Sequence, residues 1–198
     1  LLDQISWMMP ENIRDVDCHM YHTYHEDVDD GFQARFTFDS GLLVTVEVDT
    51  NAFVSEPRWI VRGLTGSLVL RNWDCEGEIV RAKDLEVTWE DEILYTSAGP
   101  TKTMAPRTRF SQEVLPVDVI ESDPINFYRN FVAVIEGRDE PVVPVEQSLY
   151  IMTLMEACFI SDRERRTVHM EEFSMENYPR QKHLPKTYVP ELAGVLEC

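Results

Sequence analysis

Three histidines near the beginning of the sequence are of a type that ligates transition metals: His19, His22 and His25. Imidazoles hold zinc when their nitrogens converge on one point. Val16 and Tyr21, among the neighbouring residues, favour a β-strand, and successive side chains of a strand point to opposite faces. His19 and His25 would then share one face while His22 points to the other. We therefore predict a half-exposed strand here and no metal site.

A cluster of acidic residues follows the histidines. Asp27, Asp29 and Asp30 could bind calcium only with a glycine and a later glutamate in the register of an EF-hand loop, and the sequence lacks that register. We predict a solvated turn.

Cationic side chains occur in a stretch without acidic residues, positions 93–112. Lys102, Arg107 and Arg109 lie there among glycine and proline, in a chain with 36 acidic and 18 basic residues. A loop of this composition can present cations to an anionic substrate or to a cofactor phosphate. A connection that pairs with the acidic surface of the protein itself is the simpler interpretation, because long loops of mixed composition are common.

The sequence lacks the local motifs of several large enzyme classes. It contains no GxGxxG motif, no Walker loop and no GxSxG motif, so it has no glycine-rich loop for a dinucleotide or a nucleoside triphosphate. Its four cysteines (Cys18, Cys75, Cys158 and Cys198) form no CxxC pair. These observations predict a reduced, cytoplasmic protein without a complete set of catalytic residues.

The spacing of apolar residues predicts the elements that position these side chains. The first half of the chain shows a short helix over residues 1–9, a strand over 13–25 and a hairpin of residues 32–38 and 42–48. Further short strands are predicted at 58–62, 67–71, 77–81 and 85–89.

The second half of the chain has a helical period. Asp123 before Pro124 predicts a capped helix start, and Gly137 predicts its end. Pro144 opens a second helix, and its wide apolar stripe predicts that this helix is largely buried; the stripe consists of Val145, Leu149, Met152, Met155 and Phe159.

Strands followed by helices predict an α+β fold, an open and mainly antiparallel sheet with helices covering one face. We expect one domain over residues 1–170 and an extended arm over 171–198, which contains three prolines.

The net charge and the hydropathy argue against some classes of partner. A formal net charge of -18 at pH 7 disfavours nucleic acid and anionic membranes, since both attract basic surfaces. No apolar run approaches the roughly 20 residues of a membrane-spanning helix. Because the sequence begins with Leu1 rather than methionine and enters a helical pattern at once, we expect it to be part of a longer protein.

Several segments together resemble the C-terminal domain of the Gfo/Idh/MocA oxidoreductases. They are LLDQISWMM at 1–9, FQARFTFDSGLLVTVEV at 32–48, RGLTGSLVL at 62–70 and the block from NFYRNF to ACFIS at 126–161. The resemblance covers most of residues 1–170, and its last block is the most specific. Gly63 and Gly66 fit a glycine-x-x-glycine motif between two strands of the family's sheet.

The resemblance implies a two-domain enzyme that transfers a hydride at a hydroxyl carbon of a sugar, a polyol or a related small-molecule substrate. An N-terminal Rossmann domain would bind NAD or NADP, and this domain would form the substrate wall and an oligomerisation surface. The family's catalytic lysine and Asp-x-x-x-His pair would precede Leu1, so the fragment alone is expected to be inactive and to bind no cofactor. Leu1-Leu2-Asp3-Gln4 matches the residues just after that histidine. Asp3 matches an acidic position of this motif: helix N-terminal capping is its simplest role, and a catalytic contact with the active site is the alternative.

Two further expectations concern assembly and the competing function. Val44, Val46 and Val48 share one face of their strand, with Phe36 and Phe38 beside them, and we expect an uncovered apolar sheet face that pairs with a second copy. A non-catalytic dimerisation or ligand-binding module with the same fold is the alternative to a dehydrogenase fragment.

Overall fold

A computed structural model describes the chain over residues 1–9, 11–83, 93–102, 111–119 and 123–173. The chain divides into two compact units, one discontinuous and one inserted within it. The discontinuous unit consists of Leu1–Ala52 and Pro124–Cys198, and the inserted unit consists of Phe53–Asp123.

Both units contain antiparallel sheets, and the α-helices of the described residues belong to the discontinuous unit, which confirms the predicted α+β class. The helices are α1 (Leu2–Met8), α2 (Ile125–Ile135) and α3 (Val145–Glu164), with a short 3-10 helix at Met170–Glu172. The strands are β1 (Ile13–Tyr21), β2 (Gly31–Phe38), β3 (Leu43–Asp49), β4 (Trp59–Arg62), β5 (Gly66–Leu70), β6 (Gly77–Ala82), β7 (Ile93–Thr96), β8 (Gly99–Lys102), β9 (Gln112–Pro116) and β10 (Val168–His169). The strand predicted at 85–89 and most of the predicted arm lie outside the described residues.

The discontinuous unit is built on a four-stranded sheet in the order β10-β1-β2-β3. Its register places Val16 opposite Phe36 and Phe36 opposite Val44, so these side chains share one face. Val16, Phe36 and Phe38 are fully buried, and α3 packs on β1. The phenylalanines and valines expected on an uncovered face are therefore on the core face. That expectation was wrong because alternation along a strand identifies an apolar face without showing what covers it.

The opposite face of this sheet is polar, and we call it the polar face. It is formed by the residues that alternate with the core positions: Asp15, Asp17, His19, Gln33, Arg35, Thr37, Thr45 and Glu47. An Arg35 guanidinium nitrogen lies 3.2 Å from an Asp17 carboxylate oxygen, and the Gln33 amide donates to Glu47. Cross-strand pairs of this kind suit a face in contact with water or with another polar surface.

The face of α3 that packs on the sheet differs from the predicted stripe. Its buried residues are Gln147, Tyr150, Thr153, Leu154, Ala157, Cys158 and Ser161. The stripe residues are exposed instead, by 68% at Val145, 60% at Met152 and 43% at Phe159. The predicted burial of the stripe was wrong because the helix is apolar on both sides, and periodicity cannot then show which side meets the sheet.

The end of α2 was predicted correctly from Gly137. This glycine has φ of +69°, and the N–H groups of Gly137 and Arg138 donate to Val134 and Ala133, which is a Schellman motif. At the other end, Pro124 and not Asp123 is the residue immediately before the helix. Among the described residues, no α2 side chain is buried, and Phe127 and Phe131 are both about half exposed.

The inserted unit contains a sheet in the order β4-β5-β6-β9 and a separate hairpin of β7 and β8. Gly66 starts β5 at a close approach of β6, where an added Cβ would lie 2.8 Å from the Val80 carbonyl oxygen. A glycine is therefore required at this position of the glycine-x-x-glycine motif. No helix in the described part of the chain is long and apolar enough to cross a membrane.

Candidate functional site

Asp3 lies where α1 contacts α3, and a side chain of α3 binds its carboxylate. It lies in the first turn of α1, where a carboxylate is favoured by the helix dipole. Leu1 occupies the capping position of α1, and no side chain caps this helix. The predicted capping role was therefore wrong, since the Asp3 carboxylate instead accepts a short hydrogen bond of 2.5 Å from the side-chain amide of Gln147.

Gln147 is the residue of this site that sequence reasoning missed. Its side chain is buried, and its Oε1 atom has no hydrogen-bond partner among the described residues. A buried amide oxygen without a hydrogen-bond donor lowers the stability of the fold, so native proteins seldom keep such an atom without a structural or functional role for it. Its proximity to Asp3 spans 144 positions of sequence, and no local motif signals a contact of that separation.

Tyr150 connects the same face of α3 to the beginning of β1. Its ring is buried, and its hydroxyl accepts the backbone N–H of Ile13 at 3.1 Å. Asp3 and Ile13, on either side of the α1–β1 connection, are thus both fixed to one turn of α3. Since Gln147 and Tyr150 are three residues apart, they lie on the same face of the helix.

A cavity of about 280 Å³ opens beside Tyr150. Its polar lining includes Arg14, Asp39, Tyr150, Thr153, His169 and Glu171. This volume is slightly below the usual range for small-molecule sites, which is about 300–1,000 Å³. The cavity has the size and the mixed lining for a small polar molecule.

An ion pair with shifted pKa values lies at this cavity. His169 Nδ1 is 2.8 Å from Asp15 Oδ1, and Arg14 Nε lies 3.0 Å from Asp15 Oδ2. The hydrogen bond from His169, reinforced by Arg14, lowers the pKa of Asp15, and the bond to Asp15 raises the pKa of His169. Both shifts favour the charged forms, so the pair is an ion pair over a wider pH range than free side chains would give.

The three histidines of the predicted strand separate in the structure. β1 ends at Tyr21, so His22 and His25 lie in the following loop and not on the strand. His19 lies against Arg165, whose guanidinium also donates to Asp162, while His25 Nδ1 is 2.5 Å from Asp30.

Asp30 organises this loop, which the sequence did not indicate. Its buried carboxylate accepts the backbone N–H groups of Thr23, Tyr24 and His25 at 2.7, 2.7 and 3.2 Å. The hydrogen bond from His25 and these backbone donors hold the pKa of Asp30 well below its usual range. The predicted solvated turn was therefore wrong at Asp30, because three converging N–H groups stabilise a buried carboxylate.

Of the three predicted cations, only Lys102 lies among the described residues. Lys102 ends β8, where its backbone pairs with Ile93 of β7, and the first part of the predicted loop is therefore a hairpin. Arg107 and Arg109 lie outside the described residues. Their proposed contact with a substrate or a cofactor stays a prediction.

Comparisons with known proteins agree with this architecture. Residues 1–69 match the family of the GFO/IDH/MocA C-terminal domain. A solved structure of an NAD-binding protein from Listeria innocua is 34% identical with a TM-score of 0.75, over 85% of this chain and 48% of that one. An oxidoreductase from Agrobacterium radiobacter, solved with NAD+, L-tartaric acid and magnesium, is 14% identical with a TM-score of 0.54, over 86% of this chain and 47% of that one.

The chain thus spans about half the length of the solved structures that it matches. The similarity at 14% identity shows a shared fold and no more. No curated protein matches the sequence.

Proposed function

We propose that this chain, which carries the C-terminal domain of the Gfo/Idh/MocA oxidoreductases, is the substrate-side domain of an NAD(P)-dependent dehydrogenase. The observation that carries the proposal is the 34% identity to an NAD-binding protein over 85% of this chain. The substrate class that we propose is a sugar, a polyol or a similar hydroxyl compound.

The dinucleotide would be bound by a separate domain. The sequence has no glycine-rich nucleotide motif, so its own residues do not fit the pyrophosphate of NAD(P). When bound elsewhere, the cofactor would accept or donate the hydride. In this chain Asp3 is the proposed contact to the active site, and the Gln147 amide fixes the orientation of its carboxylate.

The exposed sides of α2 and α3 support a partner domain in the complete protein. Phe131 in α2 and Met152 in α3 are more than half exposed, and exposed apolar surfaces mark interaction sites. We propose that a cofactor-binding domain packs on these helices. The NAD-binding protein that is 34% identical is about twice as long, which supports the presence of a further domain.

The alternative function is a ligand-binding module without catalysis, and the cavity beside Tyr150 favours it. The two proposals differ in the need for a dinucleotide. A small molecule that bound this cavity would not require NAD(P), whereas the dehydrogenase would.

Titration with NADH and NADPH, followed by fluorescence, tests the dehydrogenase proposal on the 198-residue chain and on the complete gene product. We expect binding by the complete product alone, followed by NAD(P)-dependent oxidation of at least one compound in a polyol screen. Absence of dinucleotide binding by the complete product would overturn the proposal and favour the ligand-binding module.

A further inference from the structure

Two free cysteines face each other between β1 and α3. Cys18 pairs with Ala34, and the same face of the sheet carries the buried side chain of Val16. Cys158 belongs to the buried face of α3 and is only 4% exposed. Because α3 packs on β1 through this face, the two side chains lie next to each other between the strand and the helix.

Contacts independent of the sulfur atoms hold the two elements together at this point. The N–H of Cys18 donates to the Ser161 hydroxyl at 2.9 Å, and the N–H of Met20 donates to the Asp162 carboxylate at 2.9 Å. Ser161 follows Cys158 by three residues and therefore lies on the same helix face. The cysteines are thus brought together by the fold and do not depend on a mutual bond.

The two thiols differ in accessibility and acidity. Cys18 is half-buried, and the hydrogen bond from the Cys158 thiol lowers its pKa. That same bond and burial raise the pKa of the Cys158 thiol. Since the thiolate is the reactive form of cysteine, Cys18 is the better nucleophile and Cys158 remains protonated.

We propose that Cys18 and Cys158 form a peroxide-sensitive thiol pair that closes to an intramolecular disulfide between β1 and α3. The Cys18 thiolate attacks one oxygen of hydrogen peroxide, the O–O bond breaks, and the products are a Cys18 sulfenic acid and hydroxide, which is protonated to water. The Cys158 thiol then gives up its proton to the sulfenic hydroxyl group as its sulfur attacks the Cys18 sulfur. The S–O bond breaks, and the hydroxyl group leaves with this proton as a second water molecule.

In this reaction two thiols are oxidised to one disulfide and one peroxide is reduced to two water molecules. The product would link α3 covalently to the strand on which it packs. The proposal does not depend on dehydrogenase activity, so it can fail or succeed separately from the proposed function.

The test uses the 198-residue chain in which Cys75 and Cys198 are replaced by serine. After hydrogen peroxide, we expect both remaining thiols to be lost and the chain to lose two hydrogen atoms in mass. Peptide mapping without reductant should recover Cys18 and Cys158 in one linked peptide pair. The same treatment of the guanidinium-unfolded chain is the control and should give the link more slowly.

Two single variants in that background test the assigned roles. With Cys158→Ser, dimedone should trap Cys18 as a sulfenic acid. With Cys18→Ser, Cys158 should stay reduced under the same conditions, and circular dichroism checks that both variants fold. A folded background chain that keeps both thiols, or that gives Cys18 sulfinic acid without the linked peptide, would overturn the proposal.

Discussion

At the scale of single residues, the side-chain amide of Gln147 makes one stabilising hydrogen bond and buries one oxygen at a cost in free energy. Its amide nitrogen binds the Asp3 carboxylate, while its buried Oε1 lacks a partner in the described part of the chain. A hydrogen bond to a charged group contributes about 1.5–3 kcal/mol, and a buried unsatisfied acceptor costs about 1–3 kcal/mol. The two effects nearly cancel, so shape and charge decide the outcome of a substitution.

We therefore expect Gln147→Met to change the free energy of unfolding by less than about 1.5 kcal/mol. Gln147→Glu should be more destabilising at neutral pH, because it places a second carboxylate against Asp3 in a buried position. Urea denaturation of both variants measures the difference. A glutamate variant as stable as the methionine variant would contradict this account of the contact.

Asp30 gives a pH dependence whose sign follows from its environment. Folding lowers its pKa below the value of about 3.9 for an unfolded chain, so the carboxylate stabilises the fold above that pH. This contribution is lost as the pH falls through the lower folded value. The stability difference between the wild type and Asp30→Asn should therefore narrow as the solution is acidified below about pH 4.

Unfolding by urea at a series of acidic pH values measures that difference. Asp27→Asn is the control, because Asp27 is exposed in the same loop. It should remain close to the wild type throughout. A constant difference for Asp30→Asn would show that the carboxylate does not act through its charge.

At the scale of elements, the orientation of α3 can be tested with two leucines of the same helix. Leu154 is fully buried against the sheet, whereas Leu149 is 40% exposed on the opposite side. Leu154→Ala should cost about 2–5 kcal/mol because it creates a cavity in the core. Leu149→Ala should cost much less, and a reversed order in urea denaturation would show that the predicted stripe faces the core after all.

Ser161 hydrogen-bonds to the backbone of β1 beyond the residues of β1 that pair with β10. Its hydroxyl accepts the N–H of Cys18 and donates to the carbonyl of Arg166 at 2.7 Å. Ser161→Ala leaves both backbone groups without this partner and should cost about 1–3 kcal/mol. Ser148→Ala, at an exposed position of the same helix, is the matched control and should be nearly neutral.

These elements also show which parts of the fold can be predicted from local sequence patterns. The short helix at the beginning, the hairpin of β2 and β3 and the end of α2 follow from local signals, since turn residues and periodicity act within a few positions. The buried face of α3 does not follow, because both of its sides are apolar and the choice depends on contacts with β1. The polar contacts of Gln147, Tyr150 and Ser161 do not follow from local signals either, because each joins residues that are far apart in the sequence.

At the scale of the whole molecule, we propose that two copies associate through the polar face. That face carries both signs of charge, with Asp17 beside Arg35, so a two-fold axis can place an acidic group of one copy against Arg35 of the other. Light scattering at micromolar concentration should then give the mass of a homo-oligomer. A measured mass equal to that of the monomer would contradict the proposal.

A charge reversal identifies the surface involved. Arg35→Glu should shift the chain towards monomer, because it places like charges in the interface. Arg81→Glu is a matched control in the inserted unit, since Arg81 is similarly exposed, by 56% against 58%, and likewise pairs with an acidic residue. An equal effect of both variants would mean that net charge, and not the polar face, controls association.

The sequence by itself determined the fold class, most strand and helix positions and the likeness to an oxidoreductase domain. Each of these depends on periodicity, turn chemistry or motifs that act over short stretches of chain. Only the tertiary structure decided which apolar face is covered, which partner holds Asp3 and where Cys158 meets Cys18. Those outcomes depend on packing between residues more than a hundred positions apart, and no local pattern encodes such contacts.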